Sequence, residues 1–122
     1  MVNSTSEDEA AVRATVLDYF EGWFDGAADR MARALHPALA KRALRGDGQT
    51  LAESPADWMI DATARGEGRD ERPTDLTIEV RIDDVHGGIA SASVRSTVYR
   101  EYLHLVRTAD GWKIVNALWT AT

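Results

Sequence analysis

The stretch YREYLHLVRTADGWKIVNALW, residues 99–119, has the clearest pattern in the chain. Apolar and polar side chains alternate on both sides of the dipeptide Asp110-Gly111, which favours a tight turn between antiparallel strands. A similar two-residue period begins just after Pro73. We therefore predict an antiparallel sheet over residues 74–121, with no helix of two or more turns inside it.

The region before Pro73 has a helical period instead. A capping-box pattern, Ser6 to Glu9, precedes a stripe of apolar residues at helical spacing. Three helices are predicted, over residues 7–24, 29–35 and 54–65. Residues 38–52 show no clear period and are left unassigned. Helices followed by strands predict an α+β fold, in which the helices pack on one face of a curved antiparallel sheet.

Length and composition restrict the class of protein. The 122 residues fit one domain, which we assign to residues 7–122 after a flexible N-terminal tail of residues 1–6. The chain has no cysteine, which excludes disulfides and thiolate chemistry. Its formal net charge of −6 disfavours nucleic acid, and we find neither a signal peptide nor an apolar run of bilayer length. We expect a cytoplasmic protein with no nucleic-acid or membrane partner.

The histidines and the basic residues of residues 41–45 do not predict a metal site or a charged binding site. Three scattered histidines do not form a metal-binding pattern, so no metal is predicted. The chain has no Gly-rich phosphate loop and no dinucleotide fingerprint, so no cofactor is predicted. His36 precedes Pro37 and is expected to interact with the negative end of the preceding helix. His86 is expected in an exposed turn. The basic run Lys41–Arg45 is expected to be a solvated surface segment.

Two segments carry a resemblance to a known family: YFEGWFDGAADRMARALHP (19–37) and YLHLVRTADGWKIVNALW (102–119). Together they resemble the putative lumazine-binding branch of the NTF2-like, or SnoaL-like, superfamily. The resemblance covers the chain from about residue 7 to the C-terminus. It implies a cone-shaped α+β barrel, with three helices leaning on a bent sheet and a cavity between them, in a protein that is commonly a homodimer.

Tyr19 is the first candidate site residue. Proteins that resemble ketosteroid isomerase place an oxyanion-stabilising tyrosine on the first helix, and counting back from Gly26 this position falls on Tyr19. The position of the carboxylate base falls on Ala43, which cannot accept a proton. Tyr19 is therefore either a site residue or a core aromatic whose hydroxyl reaches the cavity.

His104 is the second candidate, because it lies on a predicted strand among large apolar residues. Its cross-strand partner is Ala117 if the hairpin has a two-residue loop, and Asn116 if the loop is longer and bulged. We predict that His104 faces the cavity, on the condition that the loop is bulged and places Asn116 beside it. His104 could then bind a polar ligand or transfer protons; alternatively, it is a histidine at an interface or in the core.

Two main functions remain open at this stage. The first is the binding of a small cyclic or aromatic molecule in the cavity. The predicted ligand-binding residues are Tyr19, Trp23, Trp58, His104 and Asn116. The second is an acid–base enzyme of the isomerase, dehydratase or cyclase type, with His104 and Tyr19 as candidate catalytic residues. A third possible function, that of a non-catalytic assembly subunit, rests only on the apolar character of the second sheet face.

The strands also predict self-association. Successive residues of a strand point to opposite faces of the sheet, and both sets of alternate positions carry apolar residues. These are Leu103, Leu105, Ile114 and Leu118 in one set, and Val106, Val115 and Trp119 in the other. A sheet with one solvated face would alternate cleanly. We predict a homodimer through the sheet face that the helices leave uncovered, burying on the order of 1,200 Å² or more.

Overall fold

The structure, a computed structural model, describes residues 4–122, and side chains from residue 6 onward. Its four helices are α1 (Ser4–Asp25), α2 (Ala28–Ala34), α3 (Ala56–Ala64) and the short α4 (Glu67–Asp70). Its six strands are β1 (Leu35–Leu44), β2 (Leu51–Glu53), β3 (Ile78–His86), β4 (Ile89–Ser96), β5 (Tyr99–Thr108) and β6 (Gly111–Ala121).

The six strands form one curved sheet in the order β2-β1-β6-β5-β4-β3. Strands β3 to β6 pair antiparallel throughout, which confirms the antiparallel sheet predicted over residues 74–121. Helix α1 packs across this sheet against β3 and β6. The α+β fold with N-terminal helices on a curved sheet is confirmed, although β2 and β3 are free edges and the barrel is therefore not closed.

The stretch that had no clear period forms the other two strands. β1 follows α2 without a loop and pairs parallel with β6, while β2 pairs antiparallel with β1. The simple order of helices first and strands second is therefore wrong for residues 35–53. The reason lies in β1, which directs the charged Lys41 inward together with Leu39 and Ala43 and so lacks the apolar alternation typical of a half-buried strand.

Several predicted boundaries differ from the structure. Helix α1 begins at Ser4, so Ser6 lies inside it rather than at its cap, and residues 1–3 of the predicted tail lie outside the described residues. The N-cap of α3 is Pro55, which follows the predicted cap Ser54, and it has no side-chain capping bond. His36 lies in β1, where its Nδ1 accepts a hydrogen bond from the Ala38 backbone N–H at 3.0 Å.

A one-residue bulge in β6 decides which side chains reach the core. Leu105 pairs with Ile114 and His104 pairs with Asn116, so Val115 is the extra residue. The predicted pairing of His104 with Asn116 is therefore present, although the bulge lies in the strand and not in the turn.

The bulge also changes the face on which the last residues of β6 lie. Before it, Trp112 and Ile114 point into the core, and after it Ala117 does. The predicted parity of Leu118 and Trp119 is consequently reversed: Leu118 is exposed on the outer face, and Trp119 lies on the helix side.

Close packing at Gly68 fixes α4 against α1. A Cβ at this position would clash with the backbone carbonyl oxygen of Trp23 and approach two atoms of its indole ring, Cγ and Cδ2, to 2.6 Å. Because backbone atoms cannot move aside cheaply, only glycine allows this contact. Among residues 4–122, no helix is long and apolar enough to cross a membrane.

We expect Gly68→Ala to lower the free energy of unfolding by about 2 kcal/mol, because the added methyl group overpacks the contact with Trp23. The matched control is Gly88→Ala, where a Cβ would meet nothing within 4 Å. Denaturant unfolding of both variants checks this. Equal midpoints for Gly68→Ala, Gly88→Ala and the parent would contradict the packing described for α4.

Candidate functional site

A cavity of about 210 Å³ lies between the helices and the inner face of the sheet. Helix α1, the segment from β2 to α4 and the strands β1, β5 and β6 all contribute to its wall. Six aromatic side chains line it: Tyr19, Phe20, Trp23, Trp58, Tyr99 and Trp119. The cavity is therefore a partly open pocket with a largely aromatic wall.

Aromatic contacts hold parts of this wall in place. The rings of Tyr19 and Phe20 meet edge to face with their centroids 5.1 Å apart, and those of Tyr99 and Trp119 do so at 4.9 Å. Both arrangements are the ones that ring quadrupoles favour. Trp58 differs from the other five, because 43% of its surface is exposed and it lies at the edge of the cavity.

The polar centre of the cavity is a buried group of three side chains, Lys41, Tyr19 and Glu101. The Tyr19 hydroxyl donates to Glu101 Oε2 at 2.5 Å and accepts a hydrogen bond from Lys41 Nζ. Lys41 Nζ also lies 3.8 Å from Glu101 Oε2. All three residues are at most 7% exposed. We call this group the buried triad.

Burial shifts all three pKa values towards the neutral forms. Desolvation raises the pKa of the Glu101 carboxyl, although Lys41 and Tyr19 partly oppose this. Desolvation also lowers the pKa of Lys41, which the Glu101 charge opposes. Tyr19 has its pKa raised well above 10.0 by burial and by the nearby Glu101 charge, so its phenol stays protonated. The triad is thus a proton-sharing group in a poorly solvated space.

Two further polar features belong to the cavity. The indole N–H of Trp23 donates to Glu71 Oε1 at 2.6 Å near α4. Although Glu71 as a residue is exposed, desolvation of its carboxyl group raises its pKa, which Trp23 and Lys41 oppose. The indole Nε1 of Trp119 is buried without a hydrogen-bond partner among the described protein atoms. Buried donors are normally paired, so this N–H is available to an acceptor in the cavity.

The structure brings together three of the five predicted ligand-binding residues. Tyr19, Trp23 and Trp58 all line the cavity. His104 and Asn116 are neighbours, with His104 Nδ1 and Asn116 Nδ2 3.3 Å apart, but His104 is exposed on the opposite face of the sheet. The prediction that His104 faces the cavity is wrong, because residues 101, 103 and 105 take the inward positions of β5. Tyr19 and His104 therefore cannot act together.

Two residues of the site were missed by the sequence reasoning. Lys41 was expected in a solvated basic segment, yet it is buried. Glu101 was not considered, although it shares the parity of Leu103 and Leu105, and an acidic residue at an inward strand position was a usable signal. The ketosteroid isomerase comparison placed the base at Ala43, and here the buried carboxylate comes from β5 instead.

Metal binding has no support in the part of the chain from residue 4 to residue 122. Within it, no group of three or more His, Asp or Glu side chains could hold a metal ion.

A comparison with protein families assigns the chain. The sequence model of the family described as putative lumazine-binding matches residues 7–120. The chain belongs to this family. A search among curated proteins found no match.

Solved structures agree with this assignment in fold. An NTF2-like protein of unknown function from Shewanella baltica matches with a TM-score of 0.79 at 15% identity, over 100% of this chain and 98% of that chain. An NTF2-like protein of unknown function from Silicibacter pomeroyi matches with a TM-score of 0.76 at 20% identity, over 100% of both chains. A third, from Methylobacillus flagellatus, matches at 0.75 and 18%, over 95% and 93%. At these identities the likeness shows the NTF2-like fold alone.

We expect Lys41→Met to lower the free energy of unfolding by about 3 kcal/mol at neutral pH, because it leaves the Glu101 charge buried without its cation. The double variant Lys41→Met/Glu101→Gln should recover most of this loss, since the amide oxygen still accepts the Tyr19 hydroxyl. Denaturant unfolding measures both. The control is Lys113→Met, which removes one surface hydrogen bond to the Arg33 carbonyl.

The loss in Lys41→Met should also depend on pH. Burial raises the folded-state pKa of Glu101 above its ordinary 4.5. The cost of ionising the buried carboxyl is therefore absent below pH 4.5 and appears as the pH rises above 4.5. The destabilisation should therefore be smaller at about pH 4 than at about pH 7. A double variant as unstable as Lys41→Met, or a loss that does not change with pH, would contradict a charged buried pair.

Proposed function

We propose that the chain binds a small cyclic or aromatic molecule in the cavity between helices and sheet. The observation that carries the proposal is the lining of this partly open cavity, in which six aromatic side chains lie around a buried group of hydrogen-bonding residues. Ligand pockets combine an apolar wall with a few placed polar groups in this way. The volume of about 210 Å³ favours a ligand of one or two rings.

The aromatic wall supports a flat ligand. Trp23 and Phe20 on α1, Trp58 on α3, and Tyr99 and Trp119 on the sheet surround the space from different sides. A planar ring between them could stack on one side chain and meet another edge to face. Trp58, which is half-exposed in the structure, would lose further accessible surface when such a ring is bound.

The polar end of the cavity supports a ligand with hydrogen-bonding atoms on its ring. The unpaired Trp119 Nε1 and the Lys41 ammonium are donors, and Glu101 is an acceptor when ionised. The family description names lumazine, a two-ring heteroaromatic compound with carbonyl oxygens and ring N–H groups. Lumazine therefore belongs in the ligand screen as one compound of the expected class.

An acid–base enzyme is the second candidate function. It is favoured by Glu101, a buried carboxyl group whose pKa is raised by desolvation and which is hydrogen-bonded to Tyr19. A carboxyl group whose pKa is raised can hold a proton and give it to a bound ring. In this form the proposal relies on Glu101 and Tyr19, and His104 has no part in it.

Self-association is proposed for the outer face of the sheet. Five large hydrophobic side chains exposed in the described part of the chain lie on that face: Leu44, Leu51, Ile89, Tyr102 and Leu118. Large apolar side chains exposed on one face support an interface there. The same face carries acidic and basic residues along β3 to β5, so two copies related by a twofold axis could pair opposite charges. The assembly-subunit function and the cytoplasmic location stay predictions.

We expect Trp58→Ala to weaken the binding of a cavity ligand by about 1 kcal/mol, roughly fivefold in Kd, because it removes one stacking surface. Native mass spectrometry and a thermal-shift screen of aromatic compounds identify the ligand, and titration measures Kd. The matched control is His104→Ala on the opposite sheet face, which should bind as the parent does. Equal loss in both variants, or no aromatic ligand at all, would contradict the site.

The same complex separates binding from catalysis. A ligand recovered unchanged after incubation in D₂O indicates binding alone. Exchange of carbon-bound ligand protons that Glu101→Gln abolishes would favour the acid–base enzyme instead.

We expect Leu118→Glu to convert a homodimer into a monomer, because it places a charge in the centre of an apolar interface burying on the order of 1,200 Å². Light scattering at tens of micromolar measures the mass of both proteins. The control is Ala14→Glu, an equal change of charge at an exposed position of α1. A parent that is already monomeric at this concentration would contradict the dimer.

A further inference from the structure

The hydrogen bonds of the buried triad run in one direction. Lys41 Nζ donates to the Tyr19 oxygen, and the Tyr19 hydroxyl donates to Glu101 Oε2. Because the two bonds run head to tail, one concerted shift moves a proton from Lys41 to Glu101. Tyr19 gives up one proton and takes another, so it is a neutral phenol before and after. The shift leaves a neutral amine on Lys41 and a neutral carboxylic acid on Glu101.

Burial lowers the free-energy cost of reaching this neutral state from the ion pair. Desolvation lowers the pKa of Lys41 and raises the pKa of Glu101, while the pKa of Tyr19 is raised so far that its phenolate does not form. A solvated lysine with a pKa of about 10.4 is neutral in only about one molecule in a thousand near neutral pH. A buried lysine with a proton acceptor in contact is neutral more often, and a neutral amine is a nucleophile.

The position of Lys41 gives this amine access to a ligand. Its ammonium group lies 4.8 Å from the ring centroid of Tyr19 and 5.6 Å from that of Trp119, at the wall of the cavity. The chain has only one other lysine, Lys113, whose Nζ donates to the Arg33 carbonyl outside the cavity. A purely structural ion pair would need neither the relay through Tyr19 nor a place beside the cavity.

We propose that Lys41 binds carbonyl compounds covalently, its amine attacking the carbonyl carbon of a small aromatic aldehyde or ketone in the cavity and forming an imine. This proposal rests on the proposed function, that the cavity accepts a small aromatic ring. It adds the chemical class of the ligand and the atom that holds it.

The buried triad supplies the proton transfers that the reaction needs. The Nζ lone pair forms the C–N bond, and the carbonyl π electrons move to oxygen, which receives a proton from Glu101 through Tyr19. The nitrogen returns one proton to Glu101, giving a neutral carbinolamine. Glu101 then protonates the hydroxyl group, which leaves as water while the C=N bond forms. One carbonyl and one amine give one imine and one water, and no oxidant or reductant takes part.

The product keeps the charges balanced. The protonated imine nitrogen carries the positive charge that the Lys41 ammonium carried before, and Glu101 is again a carboxylate. The ion pair of the free protein is thus replaced by another ion pair, with the positive charge still on the Lys41 nitrogen and the negative charge still on Glu101. The aromatic ring of the ligand would lie among Trp23, Trp58 and Trp119.

Benzaldehyde with sodium cyanoborohydride tests the proposal, because the reductant converts an imine into a stable benzylamine. Peptide mapping then compares three amines in the parent protein: Lys41, Lys113 and the N-terminus. We expect labelling of Lys41 to be faster than labelling of Lys113, since a lowered pKa raises the neutral fraction of the Lys41 amine. Labelling of Lys113 with an unlabelled Lys41 would overturn the proposal.

Two variants and one further compound make the test specific. Lys113→Arg should leave labelling of Lys41 unchanged. Tyr19→Phe keeps the ring but removes the hydroxyl of the relay, so it should slow labelling at Lys41 and not at Lys113; an unchanged rate at Lys41 would overturn the relay. Benzyl alcohol has the same ring without a carbonyl. If benzyl alcohol binds and benzaldehyde does not label Lys41, only the imine is overturned. If benzyl alcohol does not bind and benzaldehyde does not label Lys41, the proposed function is overturned as well.

Discussion

The contact of Glu101 with Tyr19 and Lys41 joins three parts of the chain that are far apart in sequence. Glu101 is on β5, Tyr19 on α1 and Lys41 on β1. A carboxylate on an inward strand position would be very costly alone, because its hydration is lost and nothing replaces it. The cation and the phenol compensate for this loss, so the position of α1 over the sheet and the position of β1 in it are constrained together.

This constraint explains why the cavity is where it is. β1 enters the sheet parallel to β6, which brings Lys41 beside Ala117 and the inner face of β5. The bulge at Val115 then turns Trp119 to the helix side, where its ring meets Tyr99 and lies near the Lys41 ammonium. The polar group and the aromatic wall are therefore products of the same strand arrangement, and the site is formed where β1, β5 and β6 meet α1.

The sequence predicted the parts of the fold that depend on local periodicity. The period of two after Pro73 and the Asp110-Gly111 turn predicted four strands, and the apolar stripe of α1 placed Tyr19 and Trp23 towards the sheet. Such patterns record burial directly. Trp58 was also predicted at the site, and the helix that carries it was predicted from Ser54-Pro55, one residue before its observed N-cap.

The rest depended on interactions that are not local. β1 was missed because Lys41 interrupts its apolar pattern, and Lys41 can be buried there only because Glu101 and Tyr19 surround it. The predicted face of His104 was wrong because Glu101, three residues earlier in the chain, takes the inward position with Leu103 and Leu105. In both cases a charged residue in the core contradicted the rule that charges lie outside, and only its distant partners explain the exception.

The most direct test of this account is a pH titration, followed by NMR, of protein in which the lysine residues carry ¹³C. The chain contains two lysines and so gives two Cε signals. Because burial lowers the pKa of Lys41, its signal should titrate below the 10.5 of a solvated lysine. It should also shift when an aromatic ligand is added, while the signal of Lys113 should not respond to the ligand. If Lys41 titrates as a solvated lysine and neither signal responds to any ligand, the buried triad is not the centre of a binding site.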